Sequence, residues 1–140
     1  MPDNFKIILE YIKDLSVETA DAETLIYVKD NILKYQMNID ITSQALKNKM
    51  IEVNTKLTFQ DKDNSKKKSF FEIIYATIIK IDDKIKDKKE MEKIILCDLQ
   101  VKIYSKLERI FLNLIKDSGY SEIKFDKKVD FEKLYNQRIN

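Results

Sequence analysis

The first half of the chain alternates between apolar and polar residues with a period of two. From Phe5 to Glu18 the odd positions are Phe5, Ile7, Leu9, Tyr11, Lys13, Leu15 and Val17. The even positions are Lys6, Ile8, Glu10, Ile12, Asp14, Ser16 and Glu18. Successive side chains of a strand point to opposite faces, so this pattern predicts a strand with one face on a core. Three further segments behave alike. Tyr35, Met37, Ile39 and Ile41 oppose Lys34, Gln36, Asn38 and Asp40. Ile51, Val53, Leu57 and Phe59 oppose Glu52, Asn54, Lys56 and Thr58. Phe71, Ile73, Tyr75, Thr77, Ile79 and Ile81 oppose Phe70, Glu72, Ile74, Ala76, Ile78 and Lys80. Four long half-buried strands predict an antiparallel sheet.

The connections differ in kind. Residues 61–68 are polar and lack glycine, which predicts a loose hairpin loop. Residues 19–33 are too many for a hairpin and carry Leu25, Ile26, Tyr27 and Val28. An apolar patch in a long connection must cover something. From about residue 87 the period lengthens. Tyr104, Leu107, Ile110, Phe111, Leu114 and Ile115 recur at three- and four-residue steps, the stripe of an amphipathic helix. The pattern fits either one helix or two over residues 88–117. Gly119 is placed to stop the run, and Asp130 to cap a short last helix carrying Phe131, Leu134 and Tyr135.

The predicted fold is therefore α+β: a four-stranded antiparallel sheet followed by two or three helices. Helices can cover one sheet face. Phe70, Ile74 and Ile78 lie on the other, and two strand edges stay unpaired, so an oligomer is expected.

Composition narrows the chemistry. The 140 residues fit one domain. Lys and Arg number 26 against 24 Asp and Glu, a balance that gives no electrostatic reason to expect nucleic acid. With no histidine, the chain has neither a Ser-His-Asp system nor a His-ligated metal site. One glycine and one proline leave no phosphate-binding loop. Carboxylates and lysines are too numerous for any pair to stand out as catalytic. Cys97 is the lone cysteine, so it forms no internal disulfide, and its apolar neighbours predict a buried thiol. The longest apolar runs fall far short of the ~20 residues of a membrane span. The opening Met1-Pro2-Asp3-Asn4 has no basic leader, so a cytoplasmic protein is expected.

The stretch Tyr11-Ile12-Lys13-Asp14-Leu15-Ser16-Val17-Glu18 resembles the first-strand signature of the SecB export chaperones. The likeness continues in order through an extended crossover from Asp21 to Asn31 with a Lys29-Asp30 step, the alternating second strand, a third strand opening at Ile51-Glu52-Val53 and a fourth with Glu72 near its start. Val129-Asp130-Phe131-Glu132-Lys133-Leu134-Tyr135 is similar to the family's closing motif. There are departures. No proline follows Cys97, the family's Gly-Gly-Phe-Pro-Pro is reduced to Ser118-Gly119-Tyr120-Ser121-Glu122, and the acidic tail is missing.

The resemblance implies a single domain over residues 1–140 that assembles as a homotetramer, a dimer of dimers. It implies a non-enzymatic, ATP-independent chaperone without cofactor or metal. Such a chaperone binds unfolded secretory precursors and delivers them to the SecA ATPase. Carried over by position, the client-binding residues are Leu25, Ile26, Tyr27 and Val28 of the crossover with Tyr104, Leu107 and Phe111 of the helix. Core packing is the competing role for the helical three. The SecA-binding residues are Asp14, Glu18, Phe70 and Glu72, for which a solvated face is the competing role. A SecB-like chaperone dedicated to a toxin–antitoxin partner and a purely structural oligomerisation domain are the alternatives.

Overall fold

Each alternating segment has one apolar face to bury, and all four form strands. In the computed structural model these are β1 (Phe5–Glu18), β2 (Tyr35–Ala45), β3 (Met50–Asp61) and β4 (Phe70–Ile81). They make one antiparallel sheet in the order β1-β4-β3-β2, so β1 and β2 are its edges. The structure describes residues 4–61, 69–120 and 130–139. The polar segment 62–68, expected to be a hairpin loop, lies outside the described residues, as do Ser121, Glu122 and Val129. The helices are α1 (Ala22–Asn31), α2 (Lys88–Lys93), α3 (Leu99–Asp117) and α4 (Phe131–Ile139). The α+β arrangement expected from the sequence is the one found.

The core lies between one sheet face and α3. Val53, Leu57 and Phe59 of β3 and Phe71, Ile73 and Ile79 of β4 are buried against Leu99, Ile103, Leu107, Phe111 and Ile115. The α3 residues recur every four positions, which places them on one side of the helix. Phe59 and Phe111 meet edge-on, their ring centroids 5.2 Å apart. The hinge of this packing is polar. Gln100 is fully buried; its Oε1 accepts from Thr55 Oγ1 at 3.0 Å, and its Nε2 donates to the Ile95 carbonyl at 3.1 Å. Ile95 belongs to a π-helical turn, Ile94–Asp98, that joins α2 to α3. Residues 88–117 are thus one helical run with a widened turn in it, which decides between one helix and two.

Gly119 ends the run as expected. Its φ of +106° allows the Gly119 amide to reach the Lys116 carbonyl and the Tyr120 amide to reach that of Ile115, each at 3.1 Å. Tyr120 then joins a buried hydroxyl cluster. Its Oη lies 3.1 Å from Ser69 Oγ, and the Tyr35 Oη donates to the Ser69 carbonyl at 2.8 Å. Burial pushes the Tyr35 phenol up to about 12.

Two expectations need correction. First, β1 does not keep a strict period of two. Its pairing with β4 slips between Ile7 and Leu9 and again between Ile12 and Asp14, so Ile8 and Lys13 are bulged. Each bulge inserts a residue and exchanges the two faces beyond it. The helix-side row is Phe5, Ile7, Glu10, Ile12, Leu15 and Val17, opposite odd positions of β4. The outer row is Lys6, Leu9, Tyr11, Asp14, Ser16 and Glu18, opposite even positions. Second, the connection after β1 is not an extended crossover. Asp21 Oδ1 accepts from the Thr24 amide at 2.8 Å and from its hydroxyl at 2.7 Å, and this cap starts α1.

Candidate client groove and partner-docking face

Coiling residues 22–31 into a helix divides the crossover's apolar patch. Val28 is fully buried, Leu25 and Tyr27 are partly buried against the core, and Ile26 faces outward at 61% exposure. The helical candidates divide in the same way. Leu107 and Phe111 lie in the core with at most 2% exposure, and Tyr104 is half-buried. Val28, Leu107 and Phe111 therefore offer no surface to a client in this chain. All three belong to the one buried core cluster, and core packing takes them.

An apolar opening remains elsewhere. Asp130 Oδ1 accepts from the Lys133 amide at 3.1 Å and caps α4, as expected. Phe131 and Tyr135 of α4 then pack over the π turn and bury Cys97. Tyr104 meets Phe131 edge-on at 5.4 Å. Burial pushes the Cys97 thiol up, so it is a weak nucleophile. Between α4 and β2 a groove of 170 Å³ stays open, lined by Ile39, Asp40, Ile41, Leu96, Phe131, Leu134 and Tyr135. Leu134 is 51% exposed there. The sequence marked Ile39 and Leu134 as apolar positions of a strand and a helix. It gave no sign that the two elements would stop short of closing on each other.

The acidic candidates do share a surface. Glu18 stands opposite Phe70, Ser16 opposite Glu72, and Asp14 opposite Ile74, all on the outer sheet face. Glu18 and Phe70 are exposed. Asp14 accepts from Ser16 Oγ at 2.7 Å, whereas Glu72 is held by Lys56 at 3.1 Å. The bulge at Lys13 serves another ion pair, with Glu52 across the sheet; the pair holds the Glu52 carboxyl low and the Lys13 ammonium high.

The helix side of β1 is only partly covered. Ile12, Leu15 and Val17 are 45%, 48% and 42% exposed along this unpaired edge. Glu10 interrupts the row. It accepts from Tyr75 Oη at 2.9 Å and from Lys106 Nζ at 2.7 Å. Burial first, and Glu10 second, pushes the Tyr75 phenol up to about 12. Among the described residues no helix is long and apolar enough to cross a membrane.

The whole chain, residues 1–140, matches the family model described as preprotein translocase subunit SecB. A SecB protein of Pelagibacter ubique is 60% identical over 140 residues, 100% of both chains. The protein-export protein SecB of Parvibaculum lavamentivorans is 23% identical over 133 residues, 95% of this chain and 77% of that protein. The same fold occurs in the Mycobacterium tuberculosis Rv1957 SecB-like chaperone, solved in complex with a ChAD peptide from the Rv1956 HigA1 antitoxin. That match has a TM-score of 0.65 at 8% identity and covers 89% of this chain and 91% of that one. Fold and family model together define a protein-export chaperone rather than an enzyme. The chain belongs to the SecB family.

Proposed function

We propose that this SecB-family chain is a cytoplasmic, ATP-independent holder of unfolded secretory precursors that passes them to the SecA motor. The observation that carries the client half is the open apolar groove between α4 and β2, with half-exposed Leu134 on its wall. Ile26 and Tyr27 of α1 and Tyr104 of α3 supply further apolar surface from the original client set. A client segment would bury its own hydrophobes there, worth roughly 25 cal/mol per Å² of apolar area before ordering costs are subtracted. Such binding needs no nucleotide. The chain's lone glycine serves to end α3.

The homotetramer follows the same logic. Ile12, Leu15 and Val17 form a half-exposed row on an unpaired edge, which is the surface a second copy would cover. Several grooves on one assembly then add by effective concentration, so a long unfolded chain is held tightly without sequence preference.

For the motor half, Asp14, Glu18 and Glu72 with Phe70 beside them suit a basic partner segment with an apolar residue. Asp14 and Glu18 carry more of this contact than Glu72, because Lys56 already compensates Glu72. The antitoxin peptide bound by the Mycobacterium protein raises a dedicated-partner reading, but that likeness is one of fold at 8% identity. The relatives found by sequence are named for protein export.

Light scattering of the purified protein with an unfolded precursor tests the reading. The expected result is a tetramer whose mass rises on adding client without ATP. A monomer with no affinity for several denatured proteins would favour a purely structural role instead.

A further inference from the structure

The outer face of β1 and β4 carries its charges in a definite order. At one end stand Asp14, Glu18 and Glu72, the acidic group described above. At the other, Lys6 and Lys80 stand directly opposite each other on neighbouring strands, both exposed. Like charges in that position repel and cost the sheet stability. Among the described residues neither lysine has an ion pair. An open cavity of 250 Å³ adjoins them, lined by Phe5, Lys6, Lys80, Ile81, Asp82 and Asp83. Its two carboxylates are engaged: Asp83 with Lys49 at 3.5 Å, and Asp82 with the Lys84 amide at 2.9 Å.

The middle of the face is apolar. Leu9 is 60% exposed and Tyr11 40%, beside the partly buried Ile74 and Ile78. The Leu9–Ile78 and Tyr11–Ala76 rows hold no charge, because the bulge at Ile8 turns Glu10 to the helix side, where Tyr75 and Lys106 bind it. At the border of these rows Lys13 and Glu52 neutralise each other. From residue 70 to residue 80 of β4 the strip is about 33 Å long, at roughly 3.3 Å per residue. It can seat one segment of about ten extended residues.

We propose that the motor segment docked at Asp14 and Glu18 runs the length of this strip, with apolar side chains on Leu9 and Tyr11 and an acidic residue at Lys6 and Lys80. The segment is then basic at one end and acidic at the other, and the lysine pair fixes its direction. The proposal rests on the reading of this face as the motor-docking surface and adds the chemistry of the far end. It also reverses the sense of one mutation. For a partner that was only basic, removing the lysines would make the face more acidic and binding tighter. For a segment of ordered charge, the same change removes a contact.

Titration of the full chain with SecA at low salt tests this. Lys6→Glu with Lys80→Glu should weaken binding roughly tenfold, and Lys6→Gln with Lys80→Gln roughly threefold. The differences from wild type should shrink at high salt. The Glu pair keeps like charges opposite each other, so its urea midpoint should match that of the wild type; the Gln pair relieves the repulsion and serves if the reversal disturbs the fold. Asp14→Lys with Glu18→Lys reports on the underlying reading. Lost binding in that variant, with unchanged or tighter binding in both lysine variants, would overturn the ordered segment and leave the acidic site standing. Unchanged binding in the Asp14 and Glu18 variant would overturn both. A loss in the lysine variants that tracks their urea midpoints would also overturn the proposal.

Discussion

Replacing Ile26 and Leu134 by Gln should weaken client binding without unfolding the protein. Both sit on helices, where Gln is well tolerated. They are 61% and 51% exposed, so more than half of each side chain is still in water before a client arrives. Full burial of such a side chain is worth about 1.5–3 kcal/mol, so completing it contributes roughly 1 kcal/mol each, about fivefold in Kd. The pair together should cost about 2 kcal/mol, roughly thirtyfold for a client segment that touches both. Urea midpoints should shift by less than about 0.5 kcal/mol equivalent, because neither residue supports the core. Leu107→Ala is the control: it opens a cavity at a fully buried site and should cost about 2–5 kcal/mol of stability. The assay is fluorescence anisotropy of a labelled unfolded protein, with stability measured on the same samples. Wild-type affinity in the Gln double variant would refute the groove. So would a loss of binding that tracks the urea midpoint across all three variants.

Three further outcomes follow from the geometry. Gln100→Leu should cost about 2–3 kcal/mol by orphaning the Thr55 hydroxyl and the Ile95 carbonyl; adding Thr55→Val should recover about 1 kcal/mol of it, and strict additivity in urea melts would count against the bond. Stability should fall as pH rises from 10 towards 12, because the unfolded Tyr75 phenol ionises near 10 while the folded one holds its proton to about 12. Tyr75→Phe should flatten that decline in pH-dependent melts. Asp14→Lys with Glu72→Lys should weaken SecA binding in a salt-sensitive way and leave client affinity intact; unchanged SecA affinity at moderate salt would sink the acidic site.

Much of the fold was legible because its signals are local. A period-two run long enough to fill a strand is hard to satisfy any other way, and the bounds of β1 and β4 match the alternating segments. Gly119 and Asp130 announced helix ends through chemistry that needs no knowledge of the rest of the chain. The crossover failed for the opposite reason. Leu25 and Val28 are three apart and Ile32 four further on, which is helical spacing. The adjacent Ile26 and Tyr27 made the patch look continuous, and the Asp21–Thr24 cap that decides the matter is a single side-chain bond. Gln100 gave no signal at all: one polar residue among apolar neighbours looks like any exposed helix position until the sheet supplies Thr55.

The candidate site was less legible, and β1 shows why. A bulge adds no residue type that a pattern could detect; it changes only which side each later residue faces. Two bulges five residues apart return the strand to its starting phase, so the alternation looks intact at both ends while Leu9, Glu10, Tyr11 and Ile12 have changed sides between them. That exchange shapes the surfaces. It puts Leu9 and Tyr11 on the outer face, where a regular strand would place Glu10 and Ile12. It also sets Glu10 against Tyr75 and Lys106 on the helix side, giving one polar tie to a row that is otherwise apolar and half in water. Asp14 and Glu18 escape the error only because both lie beyond the second bulge, where the phase is restored.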